Sequence, residues 1–167
     1  MFSKKMKCIQ VVTVSFFFLS ALISQAQPAP AHLKYFGFAA IDCFYDDPLD
    51  ASSITNYITE VDSFSNIAHM CVFDYTDDVV ARTLLMNSYC VIPIMHIQSV
   101  FFYHANTSAQ SGSNYDLYPD YAARWNVFKN TNASVLNATR IGCFYLADEP
   151  FWTGITLSEM IQVSALV

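Results

Sequence analysis

The sequence predicts a parallel α/β fold of the (β/α) barrel type, with about four βα units present, half of a complete TIM barrel. Three observations predict it. Four short apolar runs recur at roughly 25-residue intervals with one longer gap: 35–41 (YFGFAAI), 67–73 (IAHMCVF), 91–97 (VIPIMHI) and 141–147 (IGCFYLA). They are apolar almost throughout, as strands buried on both faces of a parallel sheet are. Helical patterns separate them, and such alternation implies parallel strands with right-handed crossovers.

Residues 1–26 read as a secretory signal: Lys4, Lys5 and Lys7 precede the apolar stretch 9–23, and Ser24 and Ala26 supply the small residues a signal peptidase needs. An uncleaved anchor is the alternative, but 15 apolar residues are short against the roughly 20 of a spanning helix. Cleavage would leave no stable membrane span. Residues 27–33 form a Pro-containing linker, and the barrel segment occupies 34–167.

After the first strand, Asp46-Asp47-Pro48 makes a turn, and Ile54, Tyr57, Ile58, Val61 and Phe64 recur at helical spacing. The second helix spans Asp78 to Tyr89, with Val80 and Leu84 on one face and Asp77 or Asp78 as N-cap. A long polar loop runs from Asn106 to Tyr118. Pro119 then opens a third helix that buries Tyr121, Trp125 and Phe128. In the last helix, Thr156 and Glu159 form a capping box ahead of Met160, Ile161 and Val163. A complete barrel takes about 250 residues. The chain ends in helical pattern at Val167 without a C-terminal glycine, as the first half of a truncated barrel would.

Removal of the signal leaves five basic residues (Lys34, Arg82, Arg124, Lys129, Arg140) against all 14 acidic ones, a formal charge of −9. That balance argues against nucleic acid, which needs clustered Lys and Arg. It is neutral toward uncharged ligands such as sugars. No glycine-rich loop follows the first run, so a dinucleotide site is disfavoured. The mature chain keeps Cys43, Cys71, Cys90 and Cys143. An even count in an exported protein allows two disulfides. Three of the four lie in or at the start of apolar runs, however, which favours mostly free, buried thiols. No CxxC pair supports a zinc or redox site, and no cofactor is implied. Asn106, Asn132 and Asn137 each begin a glycosylation tripeptide.

In barrels of this type, function gathers at the C-terminal ends of the strands. Those positions hold Asp42, Asp74, His96 with Gln98, and Asp148 with Glu149. Asp42 and Asp74 serve equally well as caps of the following helices, and His96 as a hydrogen-bonded barrel residue. Asp148-Glu149-Pro150 is more specific. Pro150 restricts Glu149 to extended geometry, and Thr156 already caps the next helix. Phe151 and Trp152 follow at once, Trp152 suiting either a sugar ring or packing beneath the loop.

The stretch YLADEPFW (145–152) at a fourth strand end resembles the Asn-Glu-Pro motif of the retaining (β/α)8 glycoside hydrolases. The resemblance implies that Glu149 is the general acid/base and that Asp148 takes the place of the Asn that binds the sugar 2-hydroxyl. Asp for Asn is a departure from the motif. With Asp148, the strand-end residues Asp42, Asp74 and His96 and the adjacent Trp152 are the candidate carbohydrate-binding set. Retaining hydrolysis needs a second carboxylate about 5 Å away, which in that family comes from a seventh strand beyond the four units here. Asp42 or Asp74 opposing Glu149 would instead suit an inverting enzyme. A non-catalytic carbohydrate-binding or interaction protein of the same fold, or an inactive truncated product, is the alternative. Half a barrel leaves open strand edges, which expose the chain to self-association.

Overall fold

In chain order the elements are β1 (Gly37–Asp42), α1 (Ile58–Val61), β2 (Ile67–Cys71), α2 (Val80–Ser88), β3 (Ile92–His96), α3 (Gln98–Phe101), β4 (Phe102–Asn106), β5 (Asn114–Leu117), α4 (Tyr121–Thr131), β6 (Cys143–Tyr145) and α5 (Leu157–Ser164). The computed structural model describes residues 33–43, 56–106 and 114–167. The signal segment, nearly all of the linker, the Asp46–Pro48 turn, Ile54 and the middle of the polar loop lie outside them. Tyr35–Val167 form one compact unit.

Each apolar run contributes one strand, and the four strands form a parallel sheet in the order β1-β2-β3-β6. The fold is thus mixed α/β around a four-stranded parallel sheet. The β2–β3 pairing, Ile67 with Ile92 through Cys71 with His96, puts equivalent positions of the two runs side by side. β1 and β6 are the edges, and the β1–β2 register shifts between Phe38 and Asp42, where Ala40 has a φ of 56°.

The sheet is not buried equally on both faces, as near-continuous apolar runs predict. Ala68, Met70 and Val72 of one strand and Pro93, Met95 and Ile97 of the next are buried, while Ile67, His69, Cys71, Ile92, Ile94 and His96 between them are only half-buried. The buried face joins one core with Ile58, Met86, Val100, Phe101, Trp125, Phe128 and Val163, so all five helices contribute to it. Two histidines on the opposite face fit the difference, since dry burial would leave imidazole nitrogens unsatisfied.

Local sequence explains the helices unevenly. α5 begins as its capping box requires, with Thr156 Oγ1 accepting from the Glu159 N–H and Glu159 accepting from the Thr156 N–H. α4 buries Trp125 and Phe128 but also Arg124, while Tyr121 is only half-buried, and Pro119 sits two residues before the first helical position. α2 turns a different face inward from the one predicted: Thr83 and Met86 are buried and Leu84 is exposed. Its N-cap is Val79, not Asp77 or Asp78, and has no side-chain cap bond; Asp78, one residue earlier, accepts from the Val80 N–H, and Asp77 turns back to the Phe73 N–H. α1 is a single turn, and Phe64 lies exposed beyond it, edge-on to Phe38.

The predicted polar loop is in part an antiparallel hairpin of β4 and β5. Phe102 enters the core, and Tyr115 and Leu117 pack against it. Backbone bonds from Tyr115 N–H to Thr153 O and from Tyr118 N–H to Phe101 O tie the hairpin to its neighbours. The alternation Tyr115-Asp116-Leu117 is too short to stand out among the polar residues around it.

The cysteine expectation is overturned. Cys43 and Cys71 form a disulfide, and the two free cysteines, Cys90 and Cys143, are exposed instead of buried. Pairing of β1 with β2 aligns the two strand ends, a proximity that a separation of 28 residues in sequence conceals. Among the described residues no helix is long and apolar enough to cross a membrane.

Candidate functional site

Parallel pairing brings His69 of β2, His96 of β3 and Tyr145 of β6 together on the half-open face. The ring centroids lie 5.1 Å apart for His69–His96, 4.8 Å for His96–Tyr145 and 5.9 Å for His69–Tyr145. Two adjoining cavities of about 550 and 450 Å³ open here and share His96 and Asp148. The larger runs over Phe38, Ile67, Ile94 and Cys143, the smaller toward Gln98, Tyr115 and Thr153.

A polar chain crosses the junction. Gln98 Oε1 accepts from the Asp148 N–H at 2.9 Å and lies 3.3 Å from His96 Nε2. An oxygen that accepts from one side assigns the His96 proton to Nε2 and leaves Nδ1 an acceptor. The Tyr145 hydroxyl donates to the Asp148 carboxylate. That bond, with burial and the neighbouring Asp148 and Glu149 charges, pushes the phenol up to about 12. His69 Nδ1 accepts from the Ala40 N–H at 3.0 Å, so its proton also sits on Nε2. Burial lowers both imidazoles below their ordinary range; the His96 charge adds to this at His69, while at His96 Gln98 opposes it and Asp148 opposes it at both. Both rings are neutral at pH 7.

The remaining predicted residues stand elsewhere. Asp42 is buried and paired with Arg82, whose Nε donates to its Oδ2 at 2.7 Å and whose second nitrogen donates to the Asp42 and Cys71 carbonyls. Asp74 accepts from Thr76 and lies 3.6 Å from Arg124. Arg124 is itself enclosed by the rings of Tyr75 and Tyr118 and the Val100 and Ser99 carbonyls. Both carboxylates thus fasten loops.

Glu149 and Trp152 are exposed beside the cleft, not among the residues that line it. The extended backbone that Pro150 predicts for Glu149 is not adopted. Its φ is 41°, because its carbonyl turns back to accept the Trp152 and Thr153 N–H groups at 2.9 and 3.0 Å. The strand-end loop is further tied down by the Thr153 hydroxyl, 3.2 Å from the carbonyls of Glu149 and Pro150. Tight turning here overrides the local preference.

Sequence reasoning found His96, Gln98 and Asp148 but missed His69 and Tyr145. The signal for His69 was a lone polar side chain inside an apolar run, and its partner became legible only with the register. Among the described residues no Lys or Arg lines either cavity. Their side chains offer aromatic faces, neutral imidazoles and one carboxylate, a set that suits a neutral polyhydroxylated ligand better than an anion. The chain matches no protein-family model, no curated protein and no solved structure.

Proposed function

We propose that the chain is an exported, glycoside-hydrolase-like protein built as half of a (β/α) barrel, which binds a neutral carbohydrate in the strand-end cleft. The observation that carries this reading is the meeting of Asp148, Tyr145 and His96 where two cavities join. Asp148 accepts sugar hydroxyls, the stacked rings face the apolar side of the pyranose, and Trp152 extends the platform outward. One-sided helix cover of the parallel sheet is what half a barrel would have, its open face being the inner wall. Export is supported by the basic and apolar N-terminus and by a disulfide, which persists in oxidising compartments.

In the hydrolytic form of the proposal Glu149 is the acid/base. A non-glycine residue held at positive φ before a proline is the kind of strained position that clusters at functional sites. The nucleophile would come from a further strand, since Asp42 and Asp74 are committed to Arg82 and Arg124. Binding without hydrolysis is the second reading, favoured by a cleft whose only lining carboxylate among the described residues is Asp148.

Calorimetric titration with a panel of neutral oligosaccharides tests the proposal. Binding by the wild type, weakened at least about tenfold in Asp148→Ala and in His96→Ala, supports it; a tenfold loss corresponds to about 1.4 kcal/mol. Absence of binding to every sugar, or binding that both variants retain, overturns it. If unactivated glycosides are cleaved, Glu149→Gln should slow turnover by about 10²–10⁴-fold while leaving affinity in place.

A further inference from the structure

The corner where β1 and β2 end holds three groups that ligate metals. Cys43 Sγ is bonded to Cys71 Sγ, and His69 Nδ1 lies 3.7 Å from Cys43 Sγ. One ligand atom from each of the three lies within 4.8 Å of the other two. The His69 ring is held in place by the Ala40 N–H, which the bulge in β1 turns toward Nδ1. That bond occupies the single Nδ1 lone pair, so a metal ion at Nδ1 takes the place of the Ala40 N–H. Cys43 is buried, whereas Cys71 lines the smaller cavity and His69 the larger.

We propose that two-electron reduction of the Cys43–Cys71 disulfide converts this corner into a Cys₂His site for Zn²⁺. In a tetrahedral site with Zn–S of about 2.3 Å and Zn–N of about 2.05 Å, nitrogen and sulfur ligands sit about 3.6 Å apart. The His69–Cys43 edge already has that length. On reduction the sulfurs would part to about 3.8 Å, Cys71 Sγ would come to about 3.6 Å from Nδ1, and the Ala40 N–H would give up its place on Nδ1. Three protein ligands would leave a fourth position for water.

The reaction balances with a dithiol as reductant. The dithiol gives two electrons and two protons to the disulfide and becomes a disulfide itself, leaving Cys43 and Cys71 as thiols. Zn²⁺ then displaces both thiol protons and is held by two thiolates and the neutral His69 imidazole. In the reverse direction a small-molecule disulfide takes the two electrons and, with two protons from water, becomes two thiols; the Cys43–Cys71 bond re-forms and Zn²⁺ is released. The proposal does not rest on carbohydrate binding, although His69 and Cys71 also line the cleft; disulfide and metal exclude one another.

Cobalt titration of the full chain tests this. The protein is reduced with dithiothreitol, desalted without oxygen and titrated with Co²⁺, then with Zn²⁺ against a chromophoric chelator. One equivalent of Co²⁺ should bind with thiolate charge-transfer and tetrahedral d–d bands, and Zn²⁺ should displace it. The oxidised chain should show neither band. The Cys90→Ser/Cys143→Ser double variant should bind as the wild type does. Cys43→Ser and Cys71→Ser should lose the charge-transfer bands, and His69→Ala should weaken Zn²⁺ at least about tenfold. If reduction unfolds the chain, one equivalent of Zn²⁺ should restore its circular dichroism. Absence of stoichiometric binding, binding equal in the oxidised chain, loss of binding in the double variant, or a reduced unfolded chain that Zn²⁺ does not refold overturns the proposal.

Discussion

The Tyr145 hydroxyl donates its hydrogen to the carboxylate of Asp148, three residues on, at the end of the sheet's last strand. The phenol is thereby held up to about 12, because ionising it would break the bond and set two negative charges together. Ultraviolet titration of Asp148→Asn should therefore show Tyr145 ionising nearer the ordinary tyrosine value of about 10. An unchanged titration would mean that burial, not Asp148, holds the proton.

Asp42 and Arg82 define a structural pair within the predicted set of site residues. The Asp42 side chain is 4% exposed and that of Arg82 19%. Arg82→Ala should cost about 3 kcal/mol, as loss of one partner from a mostly buried ion pair does, and should show as a lower urea midpoint. Asp42→Asn should lower stability similarly while leaving oligosaccharide affinity per folded molecule unchanged. Lost affinity at unchanged stability would restore Asp42 to the ligand site.

Asn132 begins a glycosylation tripeptide yet is completely buried. It accepts from the Val79 N–H and donates to the Asp77 and Phe128 carbonyls. Asn132→Ala should cost about 3 kcal/mol, since it strands buried polar groups at the start of α2 and the end of α4. Secreted protein from a glycosylating host should carry no glycan at Asn132 by peptide mass mapping, whereas Asn137 is exposed and open to modification.

Glu149 offers a stability test that reverses the usual ranking. At a φ of 41° a glycine is relieved of the strain that any side chain feels. Glu149→Gly should therefore be more stable than Glu149→Ala by about 1 kcal/mol, measured by chemical denaturation. The ordinary order, with Ala the more stable, would mean that the turn relaxes in solution.

Short-range chemistry made several features legible in the sequence. The four apolar runs marked the strands because each must supply the sheet's buried face, and the helical patterns alternating with them marked them parallel. Thr156 and Glu159 announced the last helix because a capping box is complete within four residues. His96 and Asp148 were visible as polar closures of apolar runs.

What only the tertiary structure decided depends on which strands lie side by side. The Cys43–Cys71 bond, the approach of His69 to both Cys43 and His96, and the Arg82–Asp42 pair each join residues 26 to 40 positions apart. Sequence spacing carries no record of such neighbours until the register is set. Glu149 shows the same limit at short range: Pro150 predicts extended backbone, but the Glu149 carbonyl bonds to Trp152 and Thr153 to close the loop and forces a positive φ. A local preference worth about a kilocalorie yields when several hydrogen bonds, each contributing about as much, require another geometry.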